Sequence, residues 1–534
     1  MSPIAEGRRT PPLPQMGEKA GDGMAPTIKF AQILTHARKE LFDLHLAMRG
    51  MHAPSLSFFK CASAMHACVL ARSRPGYRVY VCMCHTALAH SLIDRSLHAL
   101  SEMWSLIVSA ALLAGGALLC LASPAPAVAA PRSPPGRTTT FSVLSFGAAA
   151  DGVTDDSEAL AAAWRVACRV PRATVLLPSG HRFLVSPVTL QGPCGARLTL
   201  QIDGTVLAPP GMGSWPKPRR PLQWLNFKWL QGFSIQGAGT VDGQSITSLQ
   251  TSSAGHWHSS SGVKPTLIRF YSSFNVTVRN IRISNSPQCH LKFDSSGGIK
   301  VKNITIASPA DSPNTDGIHL QNSRDVDIRS STIGCGDDCV SIQTGCSNVH
   351  MKNIVCNPGH GISLGGLGKD NSLACVSDVV AENIIVQNAL YGVRIKTWQG
   401  GVGSVRNITF SNVRVANVAT PIAIDQFYCD RGAGARCANR TDAVAIDGVA
   451  YRRVVGTYTF QPARLACSDA RPCTGVSMVD VRLSPAPGAP ATAAPLCWNS
   501  YGEARGTIQP LSVGCLQRTN GYAMPLTQPF NYTC

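Results

Sequence analysis

The sequence predicts an all-β chain, a right-handed parallel β-helix with an N-terminal capping helix. Two observations carry this. Beyond residue 200 the chain runs in short β-branched stretches separated by Gly, Asn, Ser and Asp, with few segments of helical period. Related phrases also recur: NVTVRNIRI, IKVKNITI, VDIRSSTI, VHMKNIVC, VVAENIIV and NITFSNVRV. Aligned on Asn280, Asn303, Ser330, Asn353, Asn383 and Asn412, they repeat at intervals of 23, 27, 23, 30 and 29 residues. Strand-turn units at such a period, with no helices between them, are the mark of a solenoid whose strands stack coil upon coil.

Within each run Val, Ile and Leu alternate with polar residues, which sends one set into a shared interior and the other outward. Asn at equivalent turns can hydrogen-bond the same position of the neighbouring coil, where a corner otherwise leaves polar groups open. The open end of a solenoid needs a cap. The segment DDSEALAAAWRVAC, residues 155–168, reads as one amphipathic helix with Asp at its N-terminus, placed to cover the first coil.

Upstream, residues 103–129 carry no charge and run LIVSAALLAGGALLCLA into an Ala127-Val128-Ala129 site, the form of a cleavable secretory signal peptide. The domain expectation is therefore a β-helix over 130–534, a signal at 103–129, and an unassigned extension over 1–102. That extension is expected to be disordered or to lie upstream of the true start at Met103. Its seven histidines are scattered, and Cys82-x-Cys84 lacks a second pair, so no metal site is expected there. Fifteen of the 20 cysteines and sequons at Asn275, Asn303, Asn407, Asn439 and Asn531 follow residue 129, as expected for a glycosylated protein of an oxidising compartment. Fifteen is odd, so at least one thiol is left over from intramolecular pairing.

The 534 residues are 44% hydrophobic and 15% charged, which excludes a wholly disordered, collagenous or coiled-coil protein. A formal charge of +18, of which +13 follows residue 129, favours a polyanionic partner: nucleic acid, anionic lipid or acidic polysaccharide. No nucleic-acid-binding motif is present.

Four polar clusters fall in successive coils: Asn314-Thr315-Asp316, Gly336-Asp337-Asp338, Gly359-His360-Gly361 and Arg394-Ile395-Lys396. Asp316, Asp338 and His360 are 22 residues apart, about one coil each, which stacks them on one wall. Carboxylates separated by roughly one strand spacing, about 4.8 Å, cannot all ionise freely, so one should have a raised pKa. Arg394 and Lys396 are two apart on a strand and share a face. Cations beside paired acids suit a sugar that carries its own carboxylate. Taken alone, Asp337-Asp338 and Gly359-His360-Gly361 read better as turn chemistry and Arg394 with Lys396 as a solvated strand face; their common register is what points to a site.

The stretches SPNTDGIHL, GDDCVSI, NPGHGISLGG, GVRIKTWQGG and IDQFYCD, in that order, resemble the plant polygalacturonases of glycoside hydrolase family 28. The likeness extends over roughly residues 141–534, and nothing before residue 103 shares it. It implies hydrolysis, with inversion, of α-1,4-linked galacturonan in pectin by a secreted monomeric enzyme of the plant cell wall. No metal or organic cofactor and no nucleic-acid or membrane partner is implied. By the same resemblance Asp337 is the general acid, Asp316 and Asp338 hold and deprotonate the attacking water, and His360 tunes the acid. Arg394 and Lys396 grip the galacturonate carboxylate, with Asn314 and Tyr428 lining the adjoining subsites. It also implies the bridges Cys168–Cys194, Cys339–Cys356, Cys429–Cys437, Cys467–Cys473 and Cys497–Cys515, leaving Cys289, Cys335, Cys346, Cys375 and Cys534 unassigned.

Three positions depart from the family pattern: Cys335 beside the acid, Gly366 where Ser is common, and Tyr391 where Asn is usual. They bear on redox sensitivity and subsite preference. A calcium-dependent pectate lyase and a catalytically silent pectin-binding β-helix stand as the alternatives.

Overall fold

The computed structural model describes residues 138–210, 215, 223–245, 264–429, 437, 439–489, 492–516 and 534, together with three strands nearer the N-terminus. The proposed signal segment, the scattered N-terminal histidines and the Asn531 sequon lie outside the described residues. The chain divides into two units, Met1–Arg132 and Ser133–Cys534. In the first, Leu56–Lys60, Ala67–Arg72 and Arg78–Cys82 form an antiparallel sheet.

The second unit is a right-handed parallel β-helix. Six of its strands build the wall that matters for function: β1 (Leu291–Asp294), β2 (Ile318–Gln321), β3 (Val340–Ile342), β4 (Ile362–Leu367), β5 (Leu373–Trp398) and β6 (Val402–Tyr428). Each pairs in parallel with the same position one coil on. The period-two alternation then becomes vertical columns. Ile268, Leu291, Ile318, Val340, Ile362, Val393, Ile422 and Ala463 form one inward column and are all fully buried. Two positions along, Phe270 and Phe293 stack with centroids 5.1 Å apart, and Phe227 continues the stack at 5.1 Å. Like thus packs on like, and each coil supplies the apolar neighbour that the next cannot provide for itself.

The outward column between these two runs Lys292, His319, Ser341, Ser363, Arg394, Ala423 and Arg464. Its members are 27, 22, 22, 31, 29 and 41 residues apart in sequence. Variation in coil length is absorbed at the corners and leaves the strands in register.

The aligned turn residues behave as expected. Asn280, Asn303, Ser330, Asn353, Asn383 and Asn412 all sit in the left-handed region, with φ between 50° and 60°. Asn tolerates that conformation better than most residues, and its amide reaches the next coil. The Asn383 amide donates to Asn353 Oδ1 at 3.1 Å and its Oδ1 accepts from Asn412 at 2.6 Å, while Asn303 donates to Asn280 at 3.1 Å. Ser330 keeps the conformation but has no amide to pass the ladder on.

Helix α1 (Ser157–Ala167) caps the first coils, burying Ala159, Leu160, Ala163, Trp164 and Ala167. Trp164 meets Phe233 edge-on at 5.4 Å. Asp156 does not cap this helix with its side chain; it accepts the Ala149 amide at 2.7 Å and so ties down the preceding loop. Asp155 instead takes the Ser157 amide, at 2.9 Å.

All five bridges implied by the family resemblance are present, and Cys375 pairs with Cys534 as a sixth. Among the described residues Cys289, Cys335 and Cys346 are free and buried. No helix among the described residues is long and apolar enough to cross a membrane.

The corner ladder makes a measurable prediction. Asn383→Gly removes the amide bonds but keeps the backbone conformation, and should lose about 1–2 kcal/mol in denaturant unfolding. Asn383→Ala loses the same bonds and also opposes positive φ, so it should lose about 1 kcal/mol more. Equal losses would contradict the conformational part of the argument.

Candidate active site

The acids sit on the short loops that lead into β2 and β3. Because Ile318, Val340 and Ile362 are in register, Asp316, Asp338 and His360 each stand two residues before equivalent strand positions. Backbone hydrogen bonds hold the loops together: Gly317 N–H donates to Asp338 O at 2.9 Å, and His360 N–H to Asp337 O at 2.7 Å. Thr315 Oγ1 accepts the Gly336 amide at 2.9 Å and donates to Ser312 O at 2.8 Å. Gly336 is required by that approach, since a Cβ there would lie 2.0 Å from Ser312 O.

Each of the three carboxylates has its own partner. Asp338, with only 2% of its side chain exposed, accepts from Arg394 at 2.7 Å, Lys396 at 2.8 Å and Ser363 at 2.6 Å. Burial alone would raise its pKa, but the two cations outweigh it and hold the carboxyl at about 2. Asp337 is 18% exposed; its Oδ1 lies 3.0 Å from His360 Nδ1 and its Oδ2 3.5 Å from the Asn314 amide. Asp316 pairs with His319 Nδ1 at 2.8 Å. Burial pushes its pKa up and the neighbouring charges of Asp337 and Asp338 add to this, against the lowering effect of the His319 hydrogen bond. The sequence expectation of one raised acid is met by Asp316.

The predicted residues are thus brought together, with one difference in detail. Arg394 and Lys396 share an outward face, as their spacing requires, yet here they clasp Asp338. Two cations against one carboxylate leave a net positive charge at the edge of the acid cluster. Tyr428 joins through Lys396, whose Nζ lies 5.3 Å from its ring centroid, and through an edge contact of 5.4 Å with Trp398. His319 and Ser363 escaped the sequence reading, although each lies three residues after a recognised position, Asp316 and His360. Extending the one-coil register by that offset would have found both.

The departures from the family pattern acquire physical reasons. A Cβ on Gly366 would lie 2.7 Å from Trp398 Nε1 and 2.9 Å from the Tyr428 ring, so glycine makes room for this aromatic pair. Tyr391 lies under the Arg394 guanidinium at 4.1 Å and fixes its plane. Cys335 is fully buried, its thiol donates to Asp337 O at 3.2 Å, and burial pushes its pKa well up, which keeps it an unreactive thiol.

Asp337, Asp338 and His360 have donor atoms within 4.8 Å of one another, the one set of possible metal ligands among the described residues. Both Asp338 oxygens are already occupied by cationic donors and His360 Nδ1 by Asp337, so the cluster fits charge-paired hydrogen bonding better than metal coordination. The arrangement presents one ionised acid locked in place, one acid with raised proton affinity, and one half-open acid beside a histidine.

The family described as glycosyl hydrolases family 28 matches residues 168–497. A polygalacturonase of Chamaecyparis obtusa is 40% identical over 362 residues, covering 66% of this chain and 69% of its own. Polygalacturonase-2 of Solanum lycopersicum is 38% identical over 364 residues, covering 66% and 77%. Among solved structures, a polygalacturonase from Erwinia carotovora superposes with a TM-score of 0.56 at 22% identity, over 71% of this chain and all of that one, which is a likeness of fold.

Asp338→Asn should cost about 3–5 kcal/mol in denaturant unfolding, because it leaves two buried cations without their counter-charge. Asp337→Asn, at a half-open position, should stay within about 1 kcal/mol of the parent. The opposite ranking would refute the assignment of Asp338 as the pinned acid.

Proposed function

The chain belongs to glycosyl hydrolases family 28, and from that premise we propose that it hydrolyses α-1,4-galacturonosyl linkages of pectin with inversion. The observation that carries the reading is the convergence of three carboxylates on one wall, each with its own partner: Asp338 clasped by Arg394 and Lys396, Asp337 on His360 and Asp316 on His319.

In this reading Asp337 gives its proton to the glycosidic oxygen as the C1–O bond breaks, and His360 sets the orientation and protonation of that acid. Water attacks C1 from the opposite face. Asp316 takes its proton, while Asp338 orients it by accepting a hydrogen bond. The leaving sugar gains one proton from Asp337, and the attacking water loses one to Asp316 as it becomes the anomeric hydroxyl, so proton exchange with solvent restores both carboxyl groups. Inversion calls for a carboxyl separation of ~6.5–9.5 Å across the reacting centre, to admit the water. The net positive charge of Arg394 and Lys396 receives the galacturonate carboxylate, and Asn314 and Tyr428 border the adjoining sugars. The chemistry needs no metal, since general acid and base groups contribute ~10²–10⁴-fold each.

Export to the plant cell wall follows as a further part of the proposal. Six disulfides among the described residues and exposed sequons at Asn275, Asn303, Asn407 and Asn439 support it. Residues 103–129 would be cleaved, leaving 130–534 as a monomeric, glycosylated domain; sequencing the N-terminus of the secreted protein tests this.

Reducing-end release from polygalacturonate, with anomeric configuration followed by NMR, is the direct test. The expected outcome is inverted products, a ~10²–10⁴-fold loss in Asp337→Asn, and indifference to chelators. Retained configuration would overturn the mechanism. Unsaturated products that depend on calcium would identify a lyase, and absence of any product from the folded protein would identify a binding module.

A further inference from the structure

We propose that His319 is the positioning residue for the general base, fixing the Asp316 carboxylate through its Nδ1–H and keeping it available to accept the proton of water. The inference rests on the hydrolytic reading above and extends it to a residue outside the acid cluster first recognised.

The geometry is specific. His319 lies on β2, three residues after Asp316, on the outward column between Lys292 of the coil before and Ser341 of the coil after. Its Nδ1 is 2.8 Å from Asp316 Oδ2, and both side chains are largely buried. The other two acids are served by different groups: Asp338 takes Arg394, Lys396 and Ser363, and Asp337 takes His360. Among the described residues His319 makes the one side-chain hydrogen bond to the Asp316 carboxylate. The backbone of Asp316 is separately anchored, for its carbonyl accepts the His290 amide and His290 Nδ1–H, both at 2.9 Å. Holding the main chain and holding the carboxylate are thus assigned to two histidines on successive coils.

The electrostatic surroundings make the contact consequential. Groups facing Asp316 are Cys289 on the preceding coil and Cys335, Asp337 and Asp338 on the following one, while Lys292 stands in register beside His319. Burial and the two aspartates raise its proton affinity, and the His319 bond opposes them. Without that bond Asp316 would hold its proton to higher pH. A protonated Asp316 cannot act as base, so the acidic limb of the activity profile should move upward in pH.

The test compares His319→Ala and His319→Asn with the parent full-length protein, using polygalacturonate as substrate. Asn places an N–H near the position of Nδ1, whereas Ala removes it. His319→Ala should lower kcat ~10-fold or more with KM little changed, and shift the acidic limb of kcat/KM upward by about one pH unit. His319→Asn should recover most of both effects. A limb that stays in place in His319→Ala, an Asn variant no better than Ala, or a loss confined to KM would each overturn the proposal. Titration of the Asp316 carboxyl by NMR gives a readout independent of turnover, and a pKa unchanged in folded His319→Ala would also overturn it. A parent protein that releases no reducing ends would defeat the hydrolase reading, while the NMR arm would still decide the contact.

Discussion

The structure depends on one constraint: the backbone ladder that locks each coil in register with the next. A strand shifted by one residue exchanges its inward and outward sets. Here such a slip would expose the Ile268-to-Ala463 column and bury Arg394 and His319 in an apolar interior. The uniform burial of the inward column therefore protects the arrangement of the outward one. Residues as distant as Asp316 and Lys396 share a site because apolar packing, which has no catalytic role, fixes the height and facing of every strand.

Upon that frame, charge is distributed unevenly. Three aspartates lie close together, yet each is matched to chemically different company: a pair of cations, a histidine with an exposed asparagine, and a second histidine on the strand that follows. A buried carboxylate surrounded by Arg394, Lys396 and Ser363 has little reason to leave the ionised state. Such anchoring costs desolvation of all three charges, and it places a fixed negative group next to acids that must change protonation. Their electrostatics therefore answer to Asp338 as well as to their own hydrogen bonds.

Most of the fold was legible because it is written periodically. The Asn280-to-Asn412 alignment marked corners that are left-handed without exception, and alternating Val and Ile identified the interior. The capping helix was recognisable from Ala159, Leu160, Ala163 and Trp164 on one face, although Asp156 took a tertiary partner that local capping rules do not foresee. The acids, His360, Arg394 and Lys396 could be found from spacing. What spacing could not convey was partnership. Nothing in Arg394-Ile395-Lys396 states that both cations turn to Asp338, because that contact crosses coils and follows from side-chain length and burial. His319 was hidden for a different reason: histidine on an outward strand face is unremarkable until the neighbouring loop delivers a carboxylate to it. The pairing of Cys375 with Cys534 joins positions 159 residues apart, a distance over which sequence pattern carries no geometric information.

The unequal coil lengths, from 22 residues between His319 and Ser341 to 41 between Ala423 and Arg464, have an evolutionary corollary. Insertions that lodge at corners lengthen the loops around the site without disturbing the strands that carry it. Descendants of one ancestral scaffold can consequently reshape the entrance, and with it the choice between mid-chain and terminal attack on a polymer, while inheriting the reactive centre unaltered.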